Sequence, residues 1–173
     1  MWHCSVNLGS VPKELILFWR TEMSDYVYEI ATSNHAVKNC LAVRREVFVE
    51  EQGIDEEIET AGDNDCVFFL GKYINRMHEV ESRPPVATAR IFPKEGGVAK
   101  IQRLAVLKHH RKHGVGADLM RFMIEHAQGV GIQHLELGSQ VSATGFYEKL
   151  GFVSFGDQYE EAGIMHQSMQ LTF

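Results

Sequence analysis

Arg111, Gly114 and Gly116 stand as Arg-x-x-Gly-x-Gly inside the run Leu104–Gly116, which lies between a strand-like and a helix-like stretch. Two residues without Cβ atoms sit where a loop turns into a helix N-terminus. The first backbone N–H groups of a helix have no partner within it, and the helix dipole favours an anion there. Glycines let a bulky pyrophosphate approach that backbone. Lys108, Arg111 and Lys112 add positive charge. Taken alone, the run also reads as the start of a helix beside a solvated basic face. It lacks the Lys-Ser/Thr ending of a P-loop and is not a Gly-x-Gly-x-x-Gly fingerprint. His109, His110 and His113 have no carboxylate or cysteine neighbour completing a metal set, so they read as solvated side chains. A second segment, Ser142-Ala-Thr-Gly-Phe146-Tyr147-Glu-Lys149-Leu150-Gly151-Phe152, follows further along, after another strand-like stretch.

Strand and helix patterns place both segments. Tyr26–Ile30 is rich in β-formers and predicts a first strand. Ser33 or Asn34 can cap a helix running to about Glu50, with Val37, Leu41, Val43, Val47 and Phe48 facing inward. Cys66–Tyr73 and Val86–Phe92 read as an antiparallel pair joined by a hairpin loop, Asn75–Pro85. Gly96-Gly97 makes the next turn, and Val98–Leu107 is a strand. Helical spacing at Leu119, Met120, Met123 and Ala127 predicts a helix over Asp118–Gln128. Ile132–Leu137 reads as a strand, Ala143–Leu150 as a short helix ended by Gly151, and Phe152–Phe155 and His166–Phe173 as two final strands. Residues 1–24 form an appendage, with a short helix after Pro12 carrying Leu15, Phe18 and Trp19. Residues 25–173 make one mixed α/β domain whose early strands form hairpins and whose middle contains a β-α-β unit.

The 173 residues carry 23 acidic and 17 basic side chains, a net charge of −6, which argues against a nucleic-acid binder. Eight of those acids, Glu50, Glu51, Asp55, Glu56, Glu57, Glu59, Asp63 and Asp65, crowd into residues 50–65 with no Lys or Arg among them. That segment is expected to be a loop holding one helical turn. It either keeps the protein soluble or draws cationic molecules by a local field. Without it the chain is slightly basic. No run approaches the ~18 apolar residues of a membrane span. Three cysteines, Cys4, Cys40 and Cys66, are too few for a disulfide framework, so a reducing, cytoplasmic setting is expected.

Together the two segments resemble the GNAT family of acyl-CoA-dependent N-acyltransferases. Val43-Arg-Arg-Glu-Val47-Phe48-Val49-Glu-Glu51-Gln52 and Glu161-Ala-Gly163-Ile164-Met-His166-Gln-Ser-Met169 resemble its ElaA-like subgroup. The resemblance runs from about residue 25 to the end. It implies an α/β (α+β) fold with a mixed central sheet, antiparallel N-terminal strands, splayed central strands and flanking helices. It also implies acetyl-CoA as cosubstrate and no metal. Leu104, Ala105 and Val106 would meet the pantetheine arm with backbone groups, and Arg111, Lys112, His113, Gly114, Val115 and Gly116 the pyrophosphate. Ser142, Phe146, Tyr147 and Lys149 would line the same cofactor.

The implied reaction is attack of a small-molecule primary amine on the thioester. Backbone N–H groups would stabilise the charge on its carbonyl oxygen. Tyr147, a phenol of pKa ~10, is the candidate acid for the departing thiolate. Many relatives carry a glutamate on the strand before the cradle, where Ala99-Lys100-Ile101-Gln102-Arg103 has no acid. A solvent path, His166, Glu160 or Glu161 could take the amine proton instead. Glu51, Gln52 and Arg103 are candidates at the substrate mouth, with Arg103 equally a core residue. A non-catalytic acyl-CoA sensor on the same fold is the alternative. A homodimer is compatible with the family.

Overall fold

Thirteen elements follow one another in the computed structural model, which describes residues 24–74, 83–161 and 163–173. The short helix expected after Pro12 in the appendage and most of the expected hairpin loop, residues 75–82, lie outside these. The order is β1 (Tyr26–Ile30), α1 (Asn34–Arg44), α2 (Glu56–Thr60), β2 (Val67–Tyr73), β3 (Pro85–Pro93), β4 (Val98–Val106), α3 (Val115–Gly129), β5 (His134–Gln140), α4 (Thr144–Glu148), β6 (Val153–Ser154), β7 (Tyr159–Glu161) and β8 (Ile164–Thr172), with a π-helical turn, Arg45–Glu51, prolonging α1. The strands form one sheet in the order β1-β2-β3-β4-β5-β8-β6, with β7 on β8. Every pairing is antiparallel except β4 with β5. The mixed architecture with an early antiparallel half agrees with the sequence reading.

Helices cover both faces of the sheet, because successive strand residues point to opposite sides. On one face α1, capped by the Ser33 hydroxyl accepting from Ala36 N–H, lays Ala36 and Cys40 on Phe68 and Leu70. On the other, Leu119, Met120, Met123 and Ala127 of α3 join Phe69, Ala89, Ile101 and Leu135 in the main core. Double coverage explains why β3 is apolar along most of its length, with only Thr88 and Arg90 polar in its buried run.

Three boundaries differ from the sequence reading. Helix α3 begins at Val115 rather than Asp118, because Gly114, in the left-handed region at φ +82°, serves as its N-cap. Strand β5 is displaced toward Gln140, since its partner β8 continues along it to His166. The pattern between Phe155 and His166 hides a hairpin, β7–β8, that turns at Gly163 (φ +76°).

The acidic segment is not simply a solvated loop. Arg44, completely buried, donates from Nε to Glu59 Oε1, from Nη2 to Glu59 O (2.6 Å) and from Nη1 to Asp63 Oδ1 (2.7 Å). Arg90 also donates to Asp63 Oδ1, and to Ala61 O at 2.8 Å. Arg103 reaches the carbonyls of Ile58 and Glu59, each at 2.9 Å. Glu59 is itself only 3% exposed. Burial opposes the charge on Arg44, but hydrogen bonds with Glu59 and Asp63 outweigh it and raise its pKa. The segment therefore supplies counter-charge and carbonyl acceptors to three arginines rising from α1, β3 and β4.

A buried carboxylate deprived of its partner is expensive. Arg44→Ala is expected to lower the unfolding free energy by about 3–5 kcal/mol. Urea denaturation followed by circular dichroism measures this, and a loss below about 1 kcal/mol, the range of an exposed pair, would contradict the assignment.

Candidate active site

Strands β4 and β5 run together for only three residue pairs, Val98–Lys100 with His134–Glu136. Beyond these they part. The cause lies in β4, where Thr88 of β3 faces Ala105 but Arg90 faces Gln102, leaving one extra residue on β4. Arg103 sits in this bulge at φ +57°, rare for a residue with a side chain. Its guanidinium is anchored on the α2 carbonyls, which helps hold a conformation that a strand would not adopt unaided. From the bulge onward, the β4 edge facing β5 has no strand partner among the described residues.

A cleft of about 510 Å³ occupies the opening. Leu104, Ala105 and Val106 form one wall; Lys112, Gly114, Val115, Gly116 and Ala117 form its end; Ala143, Phe146 and Tyr147 close the far side. Val47 and Gln52, from the end of the first helix, complete it. Three stretches distant in sequence thus meet in one cavity.

The end wall is suited to an anion. Gly114 caps α3 without any side-chain hydrogen bond, and the first intrahelical bond is from Asp118 N–H to Gly114 O at 3.0 Å. The amides of Val115, Gly116 and Ala117 precede it and have no partner within the helix. A Cβ on Gly116 would project toward Val106 Cγ2 at 3.5 Å and Phe146 Cζ at 3.8 Å, into the space between β4 and α4. His110, also on the lining, has its pKa lowered by burial and by His113 and His109, and its Nδ1 lies 3.2 Å from the Tyr26 hydroxyl.

Tyr147 packs edge-on against Phe146 at 4.9 Å and against Phe152 at 6.1 Å. Burial pushes its phenol up to about 12. Among the described residues its hydroxyl has no hydrogen-bond partner. His113, Ser142 and Lys149 are exposed and flank the cleft rather than line it.

The remaining candidates sit elsewhere around the opening. Glu51 is held by Arg111, with Nη1 to Oε1 at 2.7 Å and Nη2 to Oε2 at 2.5 Å, while Arg111 Nε donates to Val106 O at 2.8 Å. The Arg103 guanidinium is bound to α2, as above; burial and Arg90 lower its pKa, while the charges of Glu59 and Glu161 oppose this. His166 and Glu161 lie on the β7–β8 hairpin, with His166 opposite Gln140 of β5. The turn and helix carrying Tyr147 begin immediately after Gln140.

Tyr159, a neighbour of His166, escaped the sequence reading. Tyr159 stacks on its ring at 5.8 Å and 24°. The Tyr159 hydroxyl lies over Gly138, 2.3 Å from where a Cβ would stand, so a side chain there would have to displace it. A glycine inside a strand pattern signals close approach, and Gly138 was that signal. Among the described residues, no group of three or more His, Cys, Asp or Glu is arranged to hold a metal ion. No described helix is long and apolar enough to cross a membrane.

Residues 46–173 match the acetyltransferase (GNAT) domain family. This chain belongs to the GNAT acetyltransferases. It is 34% identical over 140 residues to YyaT of Bacillus subtilis, an alignment covering 80% of this chain and 90% of that protein. It is 30% identical over 146 residues to the uncharacterized N-acetyltransferase YjcF of the same organism, covering 81% and 95%. Among solved structures, Escherichia coli ElaA superposes with a TM-score of 0.69 at 26% identity, covering 83% of this chain and 97% of that one. A GNAT family acetyltransferase from Elizabethkingia anophelis, solved with acetyl-CoA bound, shares the fold with a TM-score of 0.63 at 15% identity, covering 87% and 99%.

Gly114→Glu would place a carboxylate beside the open amides and force a side chain into a left-handed conformation, at a cost of about 1–2 kcal/mol. The variant is expected to fold yet show no CoA binding by calorimetry. Binding at the parent's affinity would remove the α3 N-terminus from the site.

Proposed function

We propose that this acetyltransferase moves an acetyl group from acetyl-CoA to a primary amine by direct attack, with both held in one cleft. The observation carrying this reading is the parting of β4 from β5 above a helix N-terminus, with Tyr147 on the opposite wall. The cleft suits CoA chemically. Unpaired strand edge matches the amides of a pantetheine arm, and open helix amides with Lys112 beside them match a pyrophosphate. Acetyl-CoA supplies an activated acyl group as a thioester. The chain's own residues do the rest.

Leu104, Ala105 and Val106 orient the donor along β4, and Val115, Gly116 and Ala117 hold its anionic end. Backbone N–H groups fixed in a strand stabilise charge on an acyl oxygen without reorganising during reaction. Transfer forms a C–N bond and breaks the C–S bond, so the amine must lose a proton and the thiolate gain one. Tyr147 donates the latter. With its pKa raised to about 12, the phenol stays protonated across the neutral and mildly alkaline range.

His166 is the favoured acceptor of the amine proton. Its Nδ1 lies 2.8 Å from Ile164 O, and a carbonyl can only accept. Nδ1 therefore carries the proton and the neutral ring leaves Nε2 bare, as a base requires. Glu161, across the same hairpin, is the alternative acceptor. The Tyr159 ring, stacked on His166 with its hydroxyl over Gly138, then forms the floor on the acceptor side.

Incubation with acetyl-CoA and a panel of primary amines, read by thiol release, tests the activity. Amine-dependent release is expected; CoA binding without release for any amine would favour an acyl-CoA sensor. Tyr147→Phe is expected to lower kcat by about 100-fold while the Kd for CoA changes less than about twofold. His166→Gln is expected to lower kcat while leaving the Kd for CoA within about twofold of the parent. Equal turnover in Tyr147→Phe and parent would end the acid assignment.

A further inference from the structure

Arg111 opens the Arg-x-x-Gly-x-Gly cradle, yet its guanidinium is already engaged on two sides. Nε donates to Val106 O, the last carbonyl of β4, and the two Nη atoms grip both oxygens of Glu51. Glu51 ends the π-helical turn that prolongs α1. One planar group thus ties together the end of the first helix, the end of β4 and the loop leading into α3. Hydrogen bonding to Arg111, aided by the charges of Arg111 and Lys108, holds the Glu51 carboxyl below its usual range despite some desolvation.

Two roles for this contact differ in sign. As a competitor, Glu51 would occupy the arginine that a phosphate needs and would have to be expelled on binding. As a strut, it would hold the arginine in the orientation that the bound phosphate uses. A guanidinium has five N–H groups, and the three bonds to Val106 and Glu51 leave one on each Nη. An incoming phosphate oxygen can therefore be met without displacing Glu51. The Val106 bond fixes the guanidinium to β4, and a bidentate carboxylate fixes its plane.

We propose that Glu51 is a positioning residue for the acyl donor, acting through Arg111 to hold the phosphate cradle against β4 and the first helix. This rests on acetyl-CoA being the donor. It separates Glu51 from the acceptor mouth, where the sequence alone placed it. It also makes the end of the first helix and the cradle parts of one mechanical unit.

Calorimetric titration of the full chain with CoA, alongside KM and kcat for acetyl-CoA, tests the proposal in Glu51→Ala, Glu51→Gln and Glu51→Asp. The expected result is a Kd for CoA raised about five- to tenfold in the alanine and glutamine variants, as for loss of a well-formed bidentate pair. The loss should fall on KM for acetyl-CoA rather than on kcat, and aspartate should recover part of it. Acetyl-pantetheine, which has no pyrophosphate, should lose less kcat/KM between the parent and Glu51→Gln than acetyl-CoA does. Should Glu51→Ala not fold, Glu51→Gln carries the comparison, since it keeps the shape and one hydrogen bond. CoA binding unchanged or tighter in Glu51→Gln would overturn the proposal, tighter binding identifying Glu51 as a competitor. Failure of the parent to bind CoA would instead overturn the donor assignment on which it rests.

Discussion

One extra residue in β4 governs the rest of the molecule. With the bulge at Arg103, β4 bends away from β5 after three paired residues, and a continuous sheet becomes an open-sided one. Unpaired strand backbone is ordinarily a liability, since buried N–H and C=O groups need partners. Here it faces a cleft whose occupant can supply them. The bulge also reverses which side chains face inward, so that Ala105 packs with Val43 and Val47 while Leu104 and Val106 turn toward the α3 core.

A left-handed residue with a long side chain needs external support, and the acidic segment provides it. Arg103 lies on the carbonyls of Ile58 and Glu59; Glu59 in turn neutralises the buried Arg44, and Asp63 bridges Arg44 to Arg90. The short α2 helix is therefore attached to α1 and β4, and the residues just after it, Ala61 and Asp63, to β3. Three of the eight acids of residues 50–65, Glu51, Glu59 and Asp63, are paired with Arg111, Arg44 and Arg90. The segment is therefore in part a structural insert at the edge of the cleft.

Much of this was legible in the sequence because its signals were local. The Arg111–Gly116 spacing, the Phe146-Tyr147 pair and the apolar period of α3 each depend on a few adjacent residues, and all three proved to line or support one cavity. What was hidden was non-local. Nothing in Ala99–Arg103 announces a bulge, because its cause includes carbonyls more than forty positions earlier. Glu51 and Glu59 look like two acids among eight, and only the fold shows that one meets Arg111 and the other Arg44. Tyr159 belongs to no periodic run, so its place over Gly138 could be reached only through the β7–β8 hairpin. The absence of an acid in β4 was plain from the start; His166, with its Nδ1 on Ile164 O, lies on β8 instead.

The central claim is that the open edge of β4 and the first turn of α3 together receive the acyl donor. Amide chemical shifts recorded during titration with CoA test it directly. The account places the largest perturbations at Leu104, Ala105, Val106, Val115 and Gly116, saturating together at one stoichiometric equivalent. Saturable binding that leaves these five amides unmoved while shifting others would contradict it.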